Sequence, residues 1–223
     1  MNRRTLPVTA ALAATAVLLL TGCGGGGDDS SPDKDKIAGA DQGTTKPKKS
    51  PEPATSMDDN PDGVDLSLPK DMKLVFDWDR PADKDEAAAM DDAQHFVRSI
   101  YRGVAQQTIH DPAVAEYAMD RGLSYARTQI QSRVDAGLTS TGTRRHYQEK
   151  TRKAPNGNAV EVSFCVDSSN FYSKEVKTKK IRKGVAGPAS YDFFRVVMTK
   201  FPGKDDLWRA SLVFVTEKAG QCR

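Results

Sequence analysis

Asp91 and His95 stand four residues apart in a stretch of helical periodicity, a spacing that sets a carboxylate and an imidazole on one helix face. Such a pair could hold a metal ion or pass a proton, but solvated helix faces carry such pairs commonly, and neither residue has a further ligand one turn on. The other two histidines have ordinary surroundings: His110 precedes a helix cap, and His146 lies in a polar run with Arg144, Arg145 and Tyr147. Asp167-Ser168-Ser169 has the composition of a turn closed by side-chain to backbone hydrogen bonds. The chain has no GxSxG elbow, HExxH motif or phosphate-binding glycine loop. With no matched acid–base pair either, the sequence assigns no catalytic residue, no metal and no cofactor.

The densest charge feature is the run from Lys174 to Lys183. Lys177, Lys179, Lys180, Arg182 and Lys183 could contact an anionic envelope polymer or lipid headgroups through screened Coulomb attraction. The competing reading is a solvated hairpin or edge strand whose lysines discourage strand-to-strand aggregation. No aromatic stacking platform accompanies the charges, which argues against nucleic acid. Tyr101, Tyr117, Tyr125, Phe193, Phe194 and Trp208 are the aromatic residues that could line a pocket or fill a core.

At the N-terminus, Arg3 and Arg4 precede the apolar run Val8 to Leu20, which is too short to span a bilayer and has the layout of an export signal. It closes on Leu20-Thr21-Gly22-Cys23. These residues resemble the lipobox of bacterial lipoproteins. The resemblance implies that residues 1–22 are removed as a signal peptide and that Cys23 receives a thioether-linked diacylglyceryl group. It also implies anchoring to the cell membrane on the extracytoplasmic face. Cys165 and Cys222 are then left as a pair in an oxidising compartment, where a disulfide is expected. Closing a loop of about sixty residues would stabilise the fold by roughly 4 kcal/mol on the chain-entropy account.

Loss of residues 1–22 removes Arg3 and Arg4 from the 33 basic side chains, leaving 31 against 30 acidic ones, so the mature chain is nearly neutral. Residues 24–70 are rich in Gly, Asp, Ser, Lys, Thr and Pro, with almost no large apolar residue before Val64. Such a segment cannot bury enough surface to offset its ordering entropy. Residues 23–70 are therefore expected to form a tether, with a reach on the order of 40 Å, between the lipidated cysteine and a single domain over 71–223.

Within that domain, Leu74 to Trp78 should pack as a leading arm. Asp83 and Glu86 have N-cap and N3 spacing, and Met90, Ala93, Val97, Ile100 and Val104 recur at helical intervals, widened by Phe96 and Tyr101. Asp111-Pro112 starts a second helical region, and Leu123, Ala126, Ile130 and Val134 lead to a stop at Gly137. After Gly137 the pattern becomes strand-like. Thr141 to Lys153 is polar and reads as an exposed strand; Asn156-Gly157 suits a type I′ turn; Ala159 to Val166 alternates. Tyr191 to Lys200 and Leu207 to Thr216 are the strongest strands. Helices followed by an antiparallel meander predict an α+β fold.

The leading helix, a second segment ending in Ala136-Gly137-Leu138, the strand Val160 to Ser168 and a last strand from Trp208 resemble, in that order, the nuclear transport factor two-like fold of exported actinobacterial lipoproteins. That resemblance implies N-terminal helices packed on a curved antiparallel sheet, forming a cone open at one end. Members of that family include isomerases and epoxide hydrolases as well as non-catalytic binding and dimerisation modules, so fold does not assign function. The expected function is a membrane-anchored, non-catalytic binding or interaction module of the cell envelope. Its partners would be the membrane, through the lipid anchor, and an envelope protein or anionic polymer, with dimerisation open. The rival is a small hydrolase or isomerase with a cone-shaped pocket.

Overall fold

The structure, a computed structural model, describes residues 59–203 and 207–223. The expected signal peptide, the lipid-bearing Cys23 and most of the expected tether lie outside the described residues. Among the described residues no helix is long and apolar enough to cross a membrane.

Residues 59–70, assigned by composition to the tether, pack against the domain. A 3₁₀ turn at Pro61–Gly63 is followed by Leu66, which is fully buried. Leu66, with Val64 packed against the same core, needs little further support, because Asp59 and Asp65 meet arginines of the first helix.

Strand β1 (Met72–Asp77) buries Met72 and Phe76. Helix α1 (Lys84–Gln106) starts where expected: the Asp83 carboxylate accepts the N–H groups of Asp85 and Glu86 at 2.9 and 3.1 Å. It stops at Gln107, whose φ of 55° is left-handed and whose side chain donates to the carbonyls of Val104 and Leu138. Ala89, Met90, Ala93, Phe96, Val97 and Val104 form its buried stripe. Helix α2 (Pro112–Tyr117) is capped by Asp111, which accepts the Ala113 N–H at 3.0 Å. Helix α3 (Asp120–Asp135) ends before Gly137, whose φ of 64° is the expected left-handed stop. Gly122 on α3 permits close packing on the sheet: a Cβ there would meet the Ala210 carbonyl oxygen at 2.0 Å.

The remaining strands are β2 (Leu138–Lys153), β3 (Ala159–Glu175), the short β4 (Ile181–Arg182), β5 (Tyr191–Lys200) and β6 (Trp208–Thr216). The sheet runs β1-β2-β3-β5-β6, with β4 paired to β3. The domain is thus α+β with a six-stranded sheet. The sheet is mixed rather than antiparallel, because β1 pairs with β2 in parallel, from Met72 against Gly142 to Asp77 against Tyr147. The leading arm is therefore an edge strand, made parallel by the helices inserted between it and its partner.

Three further expectations are corrected. The polar run at 141–153 is not an exposed strand but part of β2, between β1 and β3, and it buries Thr141 and His146. Its inward side chains find hydrogen-bond partners, which a hydrophobicity pattern cannot register. The β2–β3 connection is not a type I′ turn on Asn156-Gly157: only Gly157 has positive φ, and its N–H meets the Ala154 carbonyl at 2.9 Å. Pro155, with its fixed φ, takes the first central position, so Asn156 falls second and Gly157 follows the turn. Finally, β3 does not turn at Asp167-Ser168-Ser169 but continues to Glu175, although the Asp167 carboxylate does accept the Ser169 N–H at 2.8 Å.

Candidate functional site

Helices α1 and α3 lie over one face of the sheet, and between them is a cavity of about 360 Å³. Its floor is Phe164 and Val166 from β3 with Phe194 and Val196 from β5, while α1 contributes Phe96, Val97, Ile100 and Tyr101. Tyr125 and Gln129 close it from α3, Arg144 and His146 from β2, and Asp192, Val215 and Glu217 from the ends of β5 and β6. The Phe164 and Phe194 rings stack with centroids 5.5 Å apart. The α1 residues follow from helical spacing: Phe96 is buried under the sheet, while Ile100 and Tyr101, one turn on, reach the cavity half-buried.

Arg144 and His146 are two residues apart on a strand and so share the inward face. Nη1 of Arg144 donates to the Tyr101 hydroxyl, and its guanidinium lies 5.5 to 5.9 Å from the ring centroids of Tyr101, Phe171 and Phe194. No carboxylate is in ion-pair contact with it among the described residues. Nearby, Arg133 of α3 donates to the hydroxyls of Ser173 and Ser140 at 3.1 and 3.2 Å. Burial pushes the Arg133 guanidinium below its ordinary range, and the neighbouring Arg144 charge acts in the same direction.

His146 is almost completely buried, its ring stacked on Phe76 at 4.4 Å. Burial, reinforced by the Arg144 charge, pushes its pKa from the ordinary 6.5 down to about 3. The imidazole is therefore neutral across the physiological range. Nδ1 faces the Val75 carbonyl at 3.1 Å, so it carries the proton and Nε2 holds the lone pair. Burial also pushes the Tyr125 phenol up to about 12, fixing it as a neutral donor.

At the rim, the Asp192 carboxylate accepts the Lys218 N–H at 3.2 Å. The chain that carries Glu217 and Lys218 is tied to the sheet by the pairing of Cys165 with Cys222, whose sulfurs lie at disulfide distance with Cα atoms 5.4 Å apart. The Ala219 N–H adds a bond to the Tyr191 carbonyl at 2.8 Å, and the Tyr147 hydroxyl donates to the Cys222 carbonyl.

The aromatic residues singled out in the sequence divide three ways. Tyr101, Tyr125 and Phe194 line the cavity; Tyr117 and Trp208 are buried in the core; Phe193 packs with the Cys165–Cys222 pair. Arg144 and the rim carboxylates were not anticipated. Their only sequence signal is alternation, since Arg144 and His146 lie two apart within a run that reads as wholly polar.

The Asp91–His95 pair does not form. Asp91 accepts from Arg80 at 2.5 Å, and His95 Nδ1 instead meets Asp92 at 3.1 Å. Asp92 also accepts the Trp208 N–H at 2.7 Å, tying α1 to β6, and burial pushes its carboxyl pKa above the ordinary range. Asp62 completes a group whose ligand-type atoms lie within 4.8 Å of one another, and it accepts from the Tyr117 hydroxyl at 3.2 Å. Each member of this group already serves a structural bond, and together they pin the leading segment to α1 and α2.

Of the basic run, Lys174 is bound to Asp71 at 2.5 Å and Arg182 to Glu175 at 2.9 Å. Lys177, Lys179 and Lys180 are exposed at the β3–β4 turn, and the ammonium of Lys183 lies 5.8 Å from the Tyr172 ring centroid. Beside them Val185 is 99% exposed.

No family model matches the chain, and no curated protein matches it. Among solved structures, the crystal structure of the intermembrane space region of the chloroplast protein ARC6 superposes with a TM-score of 0.37 at 11% identity, covering 56% of this chain and 94% of that one.

Proposed function

We propose that this chain is a lipid-anchored protein of the extracytoplasmic membrane face whose domain is a cone-shaped, nuclear transport factor two-like binding module that takes a small ligand into the cavity between helices and sheet. The observation that carries the reading is the cavity's polarity. Aromatic walls surround polar groups fixed in one protonation state: Arg144 is cationic, Tyr125 is held protonated, and the His146 pKa is depressed to about 3. A general base works best with a pKa near the operating pH, and a histidine depressed this far is too weak a base for that task. Groups of fixed charge in an apolar pocket orient a ligand instead. The lipobox resemblance at Leu20 to Cys23 supports the anchor.

Two measurements test the reading. The Cys23→Ser chain should leave the membrane fraction after a carbonate wash, and its persistence there would remove the lipoprotein assignment. Screening small aromatic compounds by thermal shift should reveal stabilising ligands whose effect disappears in Val215→Trp, which fills the cavity rim. Turnover of such a compound, lost with Asp192→Asn or Glu217→Gln, would replace the binding module with an enzyme.

A second reading rests on Lys177, Lys179 and Lys180, which are exposed while Lys174 and Arg182 are matched to carboxylates. It makes the β3–β4 turn a contact for anionic envelope polymer.

A further inference from the structure

We infer that the cavity selects a ligand with an apolar, preferably aromatic, body and a single negative charge, with Arg144 as the residue that binds the charge; this rests on the small-ligand reading of the cavity. A guanidinium withdrawn from water is ordinarily matched by a carboxylate, because desolvating a lone cation is costly. Arg144 has no such partner among the described residues. One hydroxyl and three ring faces hold it, and its Nε–H is buried without a partner. The single hydrogen bond to Tyr101 leaves most of the guanidinium's N–H donors unused.

The surroundings make the position still more favourable for an anion. Arg133 is a second cation within electrostatic reach of Arg144, held by serine hydroxyls that cannot cancel its charge. The rings that flank Arg144 fix the plane of its fork, which favours a carboxylate approaching with two oxygens. Phe164, Phe194 and Val196 on the floor, with Phe96 from α1, offer an apolar bed with no charge of its own.

The rim limits the ligand to one charge. Asp192 and Glu217 line the same cavity from β5 and the end of β6, and neither is in ion-pair contact with Arg144. A second negative group directed at the rim would meet these carboxylates, whereas an uncharged end would not. About 360 Å³ accommodates a body of two fused aromatic rings.

The test uses 2-naphthoate, its neutral counterpart 2-naphthamide and the dianion 2,6-naphthalenedicarboxylate as probes, titrated calorimetrically into the full chain carrying Cys23→Ser and purified without detergent. Naphthoate should bind about 10- to 100-fold more tightly than naphthamide, the range expected for hydrogen bonds to a charged group, and the dianion should bind more weakly than naphthoate. Arg144→Met should bring naphthoate down to the affinity of naphthamide while leaving naphthamide unchanged, and Arg144→Lys should keep part of the preference. Equal affinity for naphthoate and naphthamide, or a preference that survives Arg144→Met, would overturn the charge selection while leaving the cavity a binding site. Failure of all three probes would overturn both the selection and the small-ligand reading. Naphthoate binding that persists in Val215→Trp would place the site elsewhere and also overturn the inference.

Discussion

Two pairs of arginines in this domain meet different partners, carboxylates for one pair and none for the other among the described residues. Arg98 and Arg102 on α1 meet carboxylates: Arg98 binds Asp59 and donates to the Leu66 carbonyl at 3.0 Å, while Arg102 bridges Asp111 and Asp65. Arg133 and Arg144 meet hydroxyls and ring faces. The first pair staples the leading segment 59–66 and the α2 cap to α1, so its charge is spent on structure. The second pair has no carboxylate in ion-pair contact among the described residues, and Arg144 lines a cavity whose rim carries Asp192 and Glu217. Arginine burial by itself thus carries no functional meaning; the identity of the partners does.

The largest effect should come from loosening the cavity side. Replacing Cys165 and Cys222 together by Ala removes a crosslink between residues separated by 57 positions, which on the chain-entropy account costs roughly 4 kcal/mol. The urea midpoint should fall accordingly, and the unreduced domain should yield one crosslinked peptide pair by mass spectrometry. Two alkylatable thiols in the oxidised protein would refute the pairing.

The arginine contrast itself is tested next. The Asp111 side chain is only 1% exposed, and Asp111→Ala removes both an α2 cap and a carboxylate of Arg102, so it should cost about 3 kcal/mol. Arg144→Met removes a cation that no carboxylate balances and should change stability by less than about 1 kcal/mol in either direction. Equal losses in the two variants would mean that both arginines are structural.

Acid should then distinguish His146 from Asp92. His146 has a native pKa of about 3, below its unfolded value near 6.5, so its contribution is fully present above pH 6.5 and is lost as pH falls towards 3. By about pH 5 the loss should reach about 2 kcal/mol. Asp92 acts in the opposite sense: its pKa is raised in the native state, so its contribution is present below the unfolded value and lost as pH rises through the native one. Stability measured between pH 7 and 5 should therefore decline in the parent and decline less in His146→Phe. Parallel curves would show that His146 is not the group responsible.

The smallest stability effect is expected at the β3–β4 turn. Replacing Lys177, Lys179 and Lys180 together by Gln should alter stability by less than about 0.5 kcal/mol, since the side chains are exposed. Salt-sensitive binding to anionic vesicles or wall polymer should disappear in this variant if the turn is a contact, and should be unchanged if the charges serve only solubility.

Much of the framework was legible in the chain. Asp83 and Asp111 marked helix starts because a short carboxylate before a helical repeat has few other roles, and β5 and β6 announced themselves by concentrated β-branched and aromatic residues. The strand β2 was placed but misjudged, since its buried side chains include Ser140, Thr141 and His146 rather than aliphatic residues alone. Asp91 and Asp92 show the same limit at the scale of one residue. Both lie within reach of His95 along a helix, and only the packing of α1 on β6, which directs Asp92 to the Trp208 N–H, decides between them.

Local propensity, periodic patterning and a small inventory of cysteines were enough to place the helices, the strong strands and the pairing available to Cys165 and Cys222. Long-range packing set the parallel pairing of β1, the inclusion of residues 59–70 in the folded unit, and the partners of the arginines: no carboxylate in contact with Arg144 among the described residues, and two with Arg102. Those outcomes depend on which side chains meet across long separations, and a charge's partner is a property of the assembled space around it rather than of its neighbours in the chain.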